Sequence, residues 1–346
     1  MMIRCDVLIV GGGLAGCSAA YHLGRLGVDG VIVCERMSGK AFDGYHRTCG
    51  EAVSTRMAAA SGLPDTCAVR TVSNIDLRCG NVDIDIPVDG MIIDRLALLS
   101  RMKQDSGAEF VKGSVTDVRE ADGGYIVTCS GQEYFCRYLI GADGAFSIVR
   151  KRLFGTGPDV RFAAVNNLVS GDSGDGALGF EVSERYPGAY RWDFPSKDGL
   201  RSIGYAVGTD DIQEYKERGI RFIVTVRQKD AVRGNCCLVG DAAMLINPVC
   251  YGGIGAALLS GRKAAECVAK GDLSAYRKWI RTDRMFDSHF MDAYETFMTW
   301  GPDEYADAVK PFRKGYSILR GAYAMMRRPR WANVYMSIWV AFRRGW

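Results

Sequence analysis

Gly11-Gly12-Gly13-Leu14-Ala15-Gly16 spells GxGxxG between an apolar run at residues 5–10 and a helical stretch at residues 18–26. Gly11 permits a tight turn, Gly13 lets the backbone approach a pyrophosphate, and Gly16 allows a helix to pack closely. The helix N-terminus adds free N–H groups and a partial positive charge. A second apolar run at residues 31–34 ends in Glu35, 19 residues after Gly16. A carboxylate there can accept hydrogen bonds from an adenosine ribose. Strand, loop, helix, strand and acid in that order predict a dinucleotide site, and the motif by itself suits NAD or FAD.

Two later segments bear on that choice. Residues 138–150 read as a strand running into Gly141-Ala142-Asp143-Gly144, and residues 237–243 as a strand running into Gly240-Asp241, followed by Asn247-Pro248 and Gly252-Gly253-Ile254-Gly255. A carboxylate at a strand end can hold the ribityl hydroxyls of a flavin, and a glycine-opened helix can aim N–H groups at the flavin C2 carbonyl. The three segments, in this order and at this separation, resemble the fingerprints of the aromatic-hydroxylase flavoproteins, which implies FAD.

A narrower resemblance rests on Tyr190-Arg191-Trp192-Asp193-Phe194-Pro195, Ile203-Gly204-Tyr205-Ala206 and Cys49-Gly50-Glu51-Ala52. The first is similar to the YxWxFP signature of the geranylgeranyl reductases, flavoproteins of the same fold that saturate isoprenoid double bonds. The last resembles that family's cysteine loop at the flavin. The likeness covers residues 1 to about 270 and continues weakly through Tyr276 to Trp279; the chain is shorter than typical members in the sheet and C-terminal parts. Carried over by motif, the resemblance implies an FAD site of Ala15, Gly16, Glu35, Cys49, Gly50, Ala52, Arg95, Val115, Asp241, Gly253 and Ile254, beside Gly11 and Gly13. For Arg95 the mundane alternative is a surface helix charge, and His46 and Arg47 read as solvated loop residues.

Period two sets Tyr190, Trp192 and Phe194 on one strand face, with Pro195 ending it. That makes an aromatic wall suited to a long apolar substrate, each buried CH₂ contributing roughly 0.8 kcal/mol; the alternative is that these rings fill the sheet's own core. Cys49 is singled out among twelve cysteines. Packing at the isoalloxazine, proton donation to an alkene carbon and redox sensing all stay open for it, as does an inert buried thiol.

The reaction implied is hydride delivery from reduced flavin to an isoprenoid C=C of a geranylgeranyl lipid, an archaeal-type lipid or a prenyl quinone. Electrons would come from a ferredoxin, NAD(P)H or another flavin source. Two alternatives share these features: a flavin monooxygenase or halogenase, since halogenases carry a related WxWxIP segment, and a non-catalytic flavoprotein held at membranes.

These residues need an α/β scaffold to meet: a Rossmann-type, aromatic-hydroxylase-like FAD-binding domain, an inserted antiparallel sheet as substrate domain, and a helical C-terminal region. The expected boundaries are residues 1–71, 91–160 and 231–270 for the first, 72–90 and 161–230 for the second, and 271–346 for the third. Residues 109–118 and 124–129 read as strands. In the inserted sheet Leu178, Phe180 and Val182, then the Tyr190 triplet, then Ile203, Tyr205 and Val207 alternate as one covered face. With 346 residues, 48% hydrophobic and 24% charged, the chain can bury a core and disorder is excluded.

No run of about 18 apolar residues predicts a membrane span, and the N-terminus does not read as a signal peptide. No CxxC pair or His cluster suggests a metal. Most cysteines read as reduced, buried small hydrophobes of a cytoplasmic protein. Residues 311–346 carry eight Lys or Arg and no acid, leaving 36 basic against 40 acidic residues elsewhere. Trp331, Val334, Tyr335, Ile338, Trp339 and Phe342 share one helical face there. That face reads either as packed on the protein's own core or as an interfacial helix making peripheral membrane contact. Nucleic acid is not expected as a partner.

Overall fold

The computed structural model describes residues 1–157, 160–171, 176–186, 188–208, 219–224, 230–344 and 346. The expectation of sheet structure across residues 161–230 therefore lies partly outside the described residues.

The first sheet grows around β1 (Ile3–Val10), whose Val7, Leu8, Ile9 and Val10 are all buried. A strand covered on both faces needs such an unbroken apolar run. Parallel neighbours flank it: β2 (Val31–Glu35) on one side and β9 (Gln132–Gly141) on the other. Beyond them lie β6 (Glu109–Lys112) and β16 (Cys236–Leu238), the latter paired with β15 (Val232–Arg233), while β7 (Val115–Ala121) and β8 (Gly124–Cys129) fold back on β9. The strand expected over residues 109–118 is thus two strands, broken at residues 113–114. Helix α1 (Leu14–Arg25) crosses from β1 to β2 and lies tightly against α5 (Ile254–Ala269). Ser18 Oγ donates to the Leu258 carbonyl at 2.7 Å, and a Cβ on Gly261 would stand 2.4 Å from the Ala15 carbonyl oxygen.

The second sheet runs in the order β14 (Gly219–Val224), β10 (Val160–Ser170), β13 (Leu200–Gly208), β12 (Arg191–Pro195), β11 (Ala177–Val182), β4 (Ala68–Cys79), β5 (Val82–Ile93), β3 (Ala52–Ser54). It departs from an all-antiparallel sheet in one pair, because β11 enters beside the long β4–β5 hairpin running parallel to β4. The alternation read at Ile203, Tyr205 and Val207 also belongs to the other face. Trp192 stands opposite Gly204, and Ala164 opposite Ala206, so the face sharing the Tyr190 triplet presents Ser202, Gly204 and Ala206 on β13. Tyr205 and Val207 pack instead with Ala163 and Val165. Small residues are required under the wall, since a Cβ on Gly204 would come within 2.0 Å of the Trp192 indole.

Between the sheets run α2 (Gly39–Arg47), α3 (Thr55–Ala60) and α4 (Arg95–Asp105). The chain after α5 is helical: α6 (Ser274–Thr282), α7 (His289–Phe297), α8 (Pro302–Val309), α9 (Ile318–Arg327) and α10 (Ala332–Arg344). Tyr276 donates its hydroxyl to the Leu238 carbonyl at 2.8 Å, tying α6 to β16. The stripe expected to meet lipid is largely turned inward, because Trp331 and Val334 are buried with Trp300 and Tyr305, and Tyr335 and Ile338 pack on the same cluster. Only Trp339 of that stripe is exposed.

Candidate functional site

One continuous cavity of about 530 Å³ joins the two sheets. Its floor is the crevice where β1 and β9 end side by side, the usual ligand position in an open α/β sheet. Gly11 has φ +102°, and a Cβ there would lie 2.4 Å from the Ala142 carbonyl oxygen, so the turn closes only on glycine. At the next loop Glu35 accepts from the N–H groups of Gly12 and Met37, each at 2.7 Å, leaving a second lone pair on each oxygen. Val115 lines this end of the cavity with Gly113 and Ser114.

Further along, the buried Arg95 sits with a buried imidazole and a second, half-buried arginine. Arg95 begins α4 and is buried, and its Nε has no hydrogen-bond partner among the described residues; neither do both ring nitrogens of His46. Burial, then Arg95 and Arg221, pushes the His46 imidazole down to about 2, so the ring is neutral. Burial, then Arg221, draws the Arg95 guanidinium below its usual range. Arg221 lies over the Tyr45 ring at 4.1 Å and 3.8 Å from the Asp241 carboxylate. Buried polar groups call for partners, and a diphosphate placed at the N-terminus of α1 would supply acceptors for the Arg95 Nε and a charge for the two arginines.

The loops that carry Asp143 and Asp241 are joined through Arg150. Its buried guanidinium donates to the carbonyls of Ala145 and Ala242, stapling the two strand-end loops together. Asp143 Oδ2 accepts from the Ile148 and Val149 N–H groups, while Oδ1 has no partner among the described residues.

The far end is aromatic. Phe180 makes edge contacts with Tyr190 and Phe194, and Tyr190 stacks on Tyr251 while donating its hydroxyl to the Cys250 carbonyl. Trp192 Nε1 donates to Ser202 Oγ at 3.3 Å; that oxygen lies 2.8 Å from Asn166 Oδ1 and 3.2 Å from the Cys49 carbonyl. The wall is thereby connected to the cysteine loop. Phe194 lies over Gly50, where a Cβ would stand 2.5 Å from the ring. Glu51 is held at φ 55°, a strained conformation for a side-chain-bearing residue. Its Oε1 accepts from the Arg95 N–H at 3.2 Å, and burial lifts its carboxyl to about 7.

Several known proteins resemble this chain. Digeranylgeranylglycerophospholipid reductase 2 of Methanothermobacter thermautotrophicus is 30% identical, the match covering 86% of this chain and 83% of the relative. The chain belongs to the geranylgeranyl reductase family. Digeranylgeranylglycerophospholipid reductase 1 of the same organism is 27% identical over 80% of this chain and 81% of its own. A family model described as an FAD binding domain matches residues 4–74. FAD is the cofactor. Among solved structures, a geranylgeranyl bacteriochlorophyll reductase-like protein from Thermoplasma acidophilum superposes with a TM-score of 0.77 at 20% identity, covering 94% of this chain and 96% of that one. A probable FAD-dependent monooxygenase from Pseudomonas aeruginosa gives 0.69 at 15% identity, covering 88% and 98%. These two show the shared fold.

The structure brings nearly all residues carried over from the geranylgeranyl reductase motifs to this cavity: Gly11, Gly13, Ala15, Glu35, Cys49, Gly50, Ala52, Arg95, Val115, Asp241, Gly253 and Ile254 line it, as do Tyr190, Trp192 and Phe194. Two do not. Gly16 packs α1 onto the turn, a Cβ there falling 1.9 Å from the Gly11 carbonyl oxygen, and Pro195 ends β12 opposite Arg201. Arg95 is a buried cavity residue, not a surface helix charge. His46 is corrected from a solvated loop residue to a buried member of α2, whereas its neighbour Arg47 is exposed. Arg221, Tyr251, Phe342 and Trp346 also line the cavity without having been singled out for it: Arg221 stands on an edge strand with no motif of its own, and Phe342 was read only as part of the tail's helical stripe. All twelve cysteines are free, and Cys49 is half-buried at the cavity.

Proposed function

We propose that this geranylgeranyl reductase-family protein is an FAD-dependent reductase that saturates C=C bonds in the isoprenoid chain of a geranylgeranyl-type lipid. One observation carries the reading: the cradle formed by Gly11, Glu35 and Asp241 opens into the same cavity as the Phe180, Tyr190, Trp192 and Phe194 wall. On this reading Glu35 holds the adenosine ribose, Asp241 the ribityl chain, and Arg95, Arg221 and His46 face the diphosphate. The N-terminus of α5 at Gly253 and Ile254 meets the flavin ring.

When bound and reduced, FAD supplies the hydride taken up by one alkene carbon, while the other carbon takes a proton. The chain's own part is placement and dryness. An isolated alkene has no carbonyl to spread charge, so the aromatic wall must hold it in register and exclude water. Two groups can hold the proton: the Cys49 thiol, whose sulfur accepts from the Glu51 N–H at 3.4 Å, and the Glu51 carboxyl, half protonated near pH 7. The electron donor is a ferredoxin or NAD(P)H, to be told apart by which one bleaches the bound flavin anaerobically.

The reading extends to contact with a lipid surface. Among the described residues no helix is long and apolar enough to cross a membrane. Helix α9, however, exposes Ile318, Leu319, Tyr323 and Met326 on one face, and Arg313, Lys314, Arg327 and Arg330 are exposed just before, at and after its ends in the chain. Apolar side chains flanked by arginine and lysine suit an anionic bilayer.

The deciding experiment is mass spectrometry of digeranylgeranylglycerophospholipid after incubation with the reduced protein. A gain of two hydrogens per double bond is expected. Unchanged lipid, together with NADPH-driven oxygen consumption on aromatic substrates, would instead make the protein a monooxygenase.

A further inference from the structure

Trp346 lines the cavity and packs with its apolar residues. Its N–H donates to Ser54 Oγ at 3.3 Å and its carbonyl accepts from the Ser54 N–H at 3.1 Å, so its backbone docks beside β3. The indole sits against β5, where a Cβ on Gly90 would stand 2.6 Å from Cη2, and the Trp346 backbone passes over Gly252. Phe342, on α10, joins it in the cluster that holds Ile75, Leu178 and Phe180, and both rings line the cavity.

The sheet order gives this position a meaning. From β12, which carries Trp192, to β5 under Trp346 is three strand steps, about 14 Å at the usual strand spacing. A chain lying across the strands from the Trp192 wall therefore runs into the Trp346 indole. We propose that Trp346, with Phe342, is the stop that limits how much isoprenoid chain this protein admits and so which double bonds reach the flavin. The proposal rests on the isoprenoid-reductase reading. Trp346 meets both Gly252 and Ser54 through its backbone, so removing the indole leaves those contacts in place.

The test is binding of saturated prenyl lipids to the FAD-loaded protein, followed as a change in the visible flavin spectrum, with ten-carbon and twenty-carbon chains compared. Trp346→Ala and Phe342→Ala are expected to shift the ratio of the two affinities toward the longer chain by about tenfold, which is about 1.4 kcal/mol. With geranylgeranyl lipid, product mass should show double bonds reduced that the unaltered protein leaves. Gly90→Ala, whose methyl would meet the indole at 2.6 Å, should alter the ratio with Trp346 still present. An unchanged ratio in all three variants, or equal weakening for both chains with a parallel fall in melting temperature, assigns the two rings to core packing and overturns the proposal. If no prenyl chain perturbs the flavin of the unaltered protein, the reductase reading fails first and the stop falls with it.

Discussion

Glu35 and Asp241 reach the cavity from different loops, yet each presents carboxylate lone pairs where hydroxyls of FAD are expected. Losing a hydrogen bond to a charged group costs about 1.5 to 3 kcal/mol, or roughly ten- to hundredfold in affinity. Glu35→Ala and Asp241→Ala should each lower flavin retention on dialysis by that order; undiminished flavin in both would remove them from the site. Glu51 makes a prediction about pH. Its folded carboxyl titrates near 7 against an ordinary value of 4.5, so its contribution to stability is fully present below about pH 4.5. Between 4.5 and 7 the unfolded chain releases this proton while the folded chain keeps it, and the contribution declines as pH rises. Urea midpoints should therefore fall across that window, and Glu51→Gln should flatten the slope. A slope that survives the substitution would place its origin elsewhere.

At the scale of elements, β12 works as a wall because β13 beneath it is small. Trp192→Ala should retain flavin, since Trp192 stands on the sheet and not on the β1–β9 crevice, but should lower kcat/KM for isoprenoid lipid by at least about tenfold. Loss of stability is also expected, on the order of 3 to 5 kcal/mol for a buried Trp→Ala change. Melting alone affected, with kcat/KM intact in the folded fraction, would show that the ring only fills the core. Arg150 operates between elements, holding the loop after β9 to the loop after β16. Arg150→Met leaves the Ala145 and Ala242 carbonyls without those donors and should destabilise by about 3 kcal/mol, with flavin loss in parallel because the loops part. Full flavin retention at unchanged stability would contradict the staple.

Across the whole molecule, charge and apolar exposure coincide on the C-terminal helices. Ile318, Leu319 and Met326 are 62%, 82% and 74% exposed, in a segment without an acidic residue. Introducing Leu319→Glu and Met326→Glu together changes no buried contact, and it should abolish co-sedimentation with anionic vesicles while leaving flavin content and melting temperature unaltered. Salt should weaken binding of the unaltered protein, and neutral vesicles should bind it less. If the full chain ignores anionic vesicles at low salt, α9 serves some other contact.

The dinucleotide cradle was legible in the chain because its chemistry is local: Gly11, Gly16 and Glu35 belong to one strand–turn–helix–strand unit whose spacing is set by covalent geometry. The aromatic wall was half legible. Period two put Tyr190, Trp192 and Phe194 together, but which face of β13 would meet them depended on register across the sheet, and a shift of one residue exchanges Ile203, Tyr205 and Val207 for Ser202, Gly204 and Ala206. The sheet also takes in one parallel pair, which no single strand announces. His46 and Arg221 could not be recognised alone, since an isolated imidazole or guanidinium on an unmarked helix or edge strand acquires its role only from the buried cation it faces. The tail shows the same limit. Amphipathicity established that residues 332–344 would hide one face, whereas the packing of Trp331 and Val334 against Trp300 and Tyr305 decided that the protein itself covers it. Only that packing turned α9 outward and carried Trp346 back to Ser54, a contact 292 residues apart that no local pattern encodes.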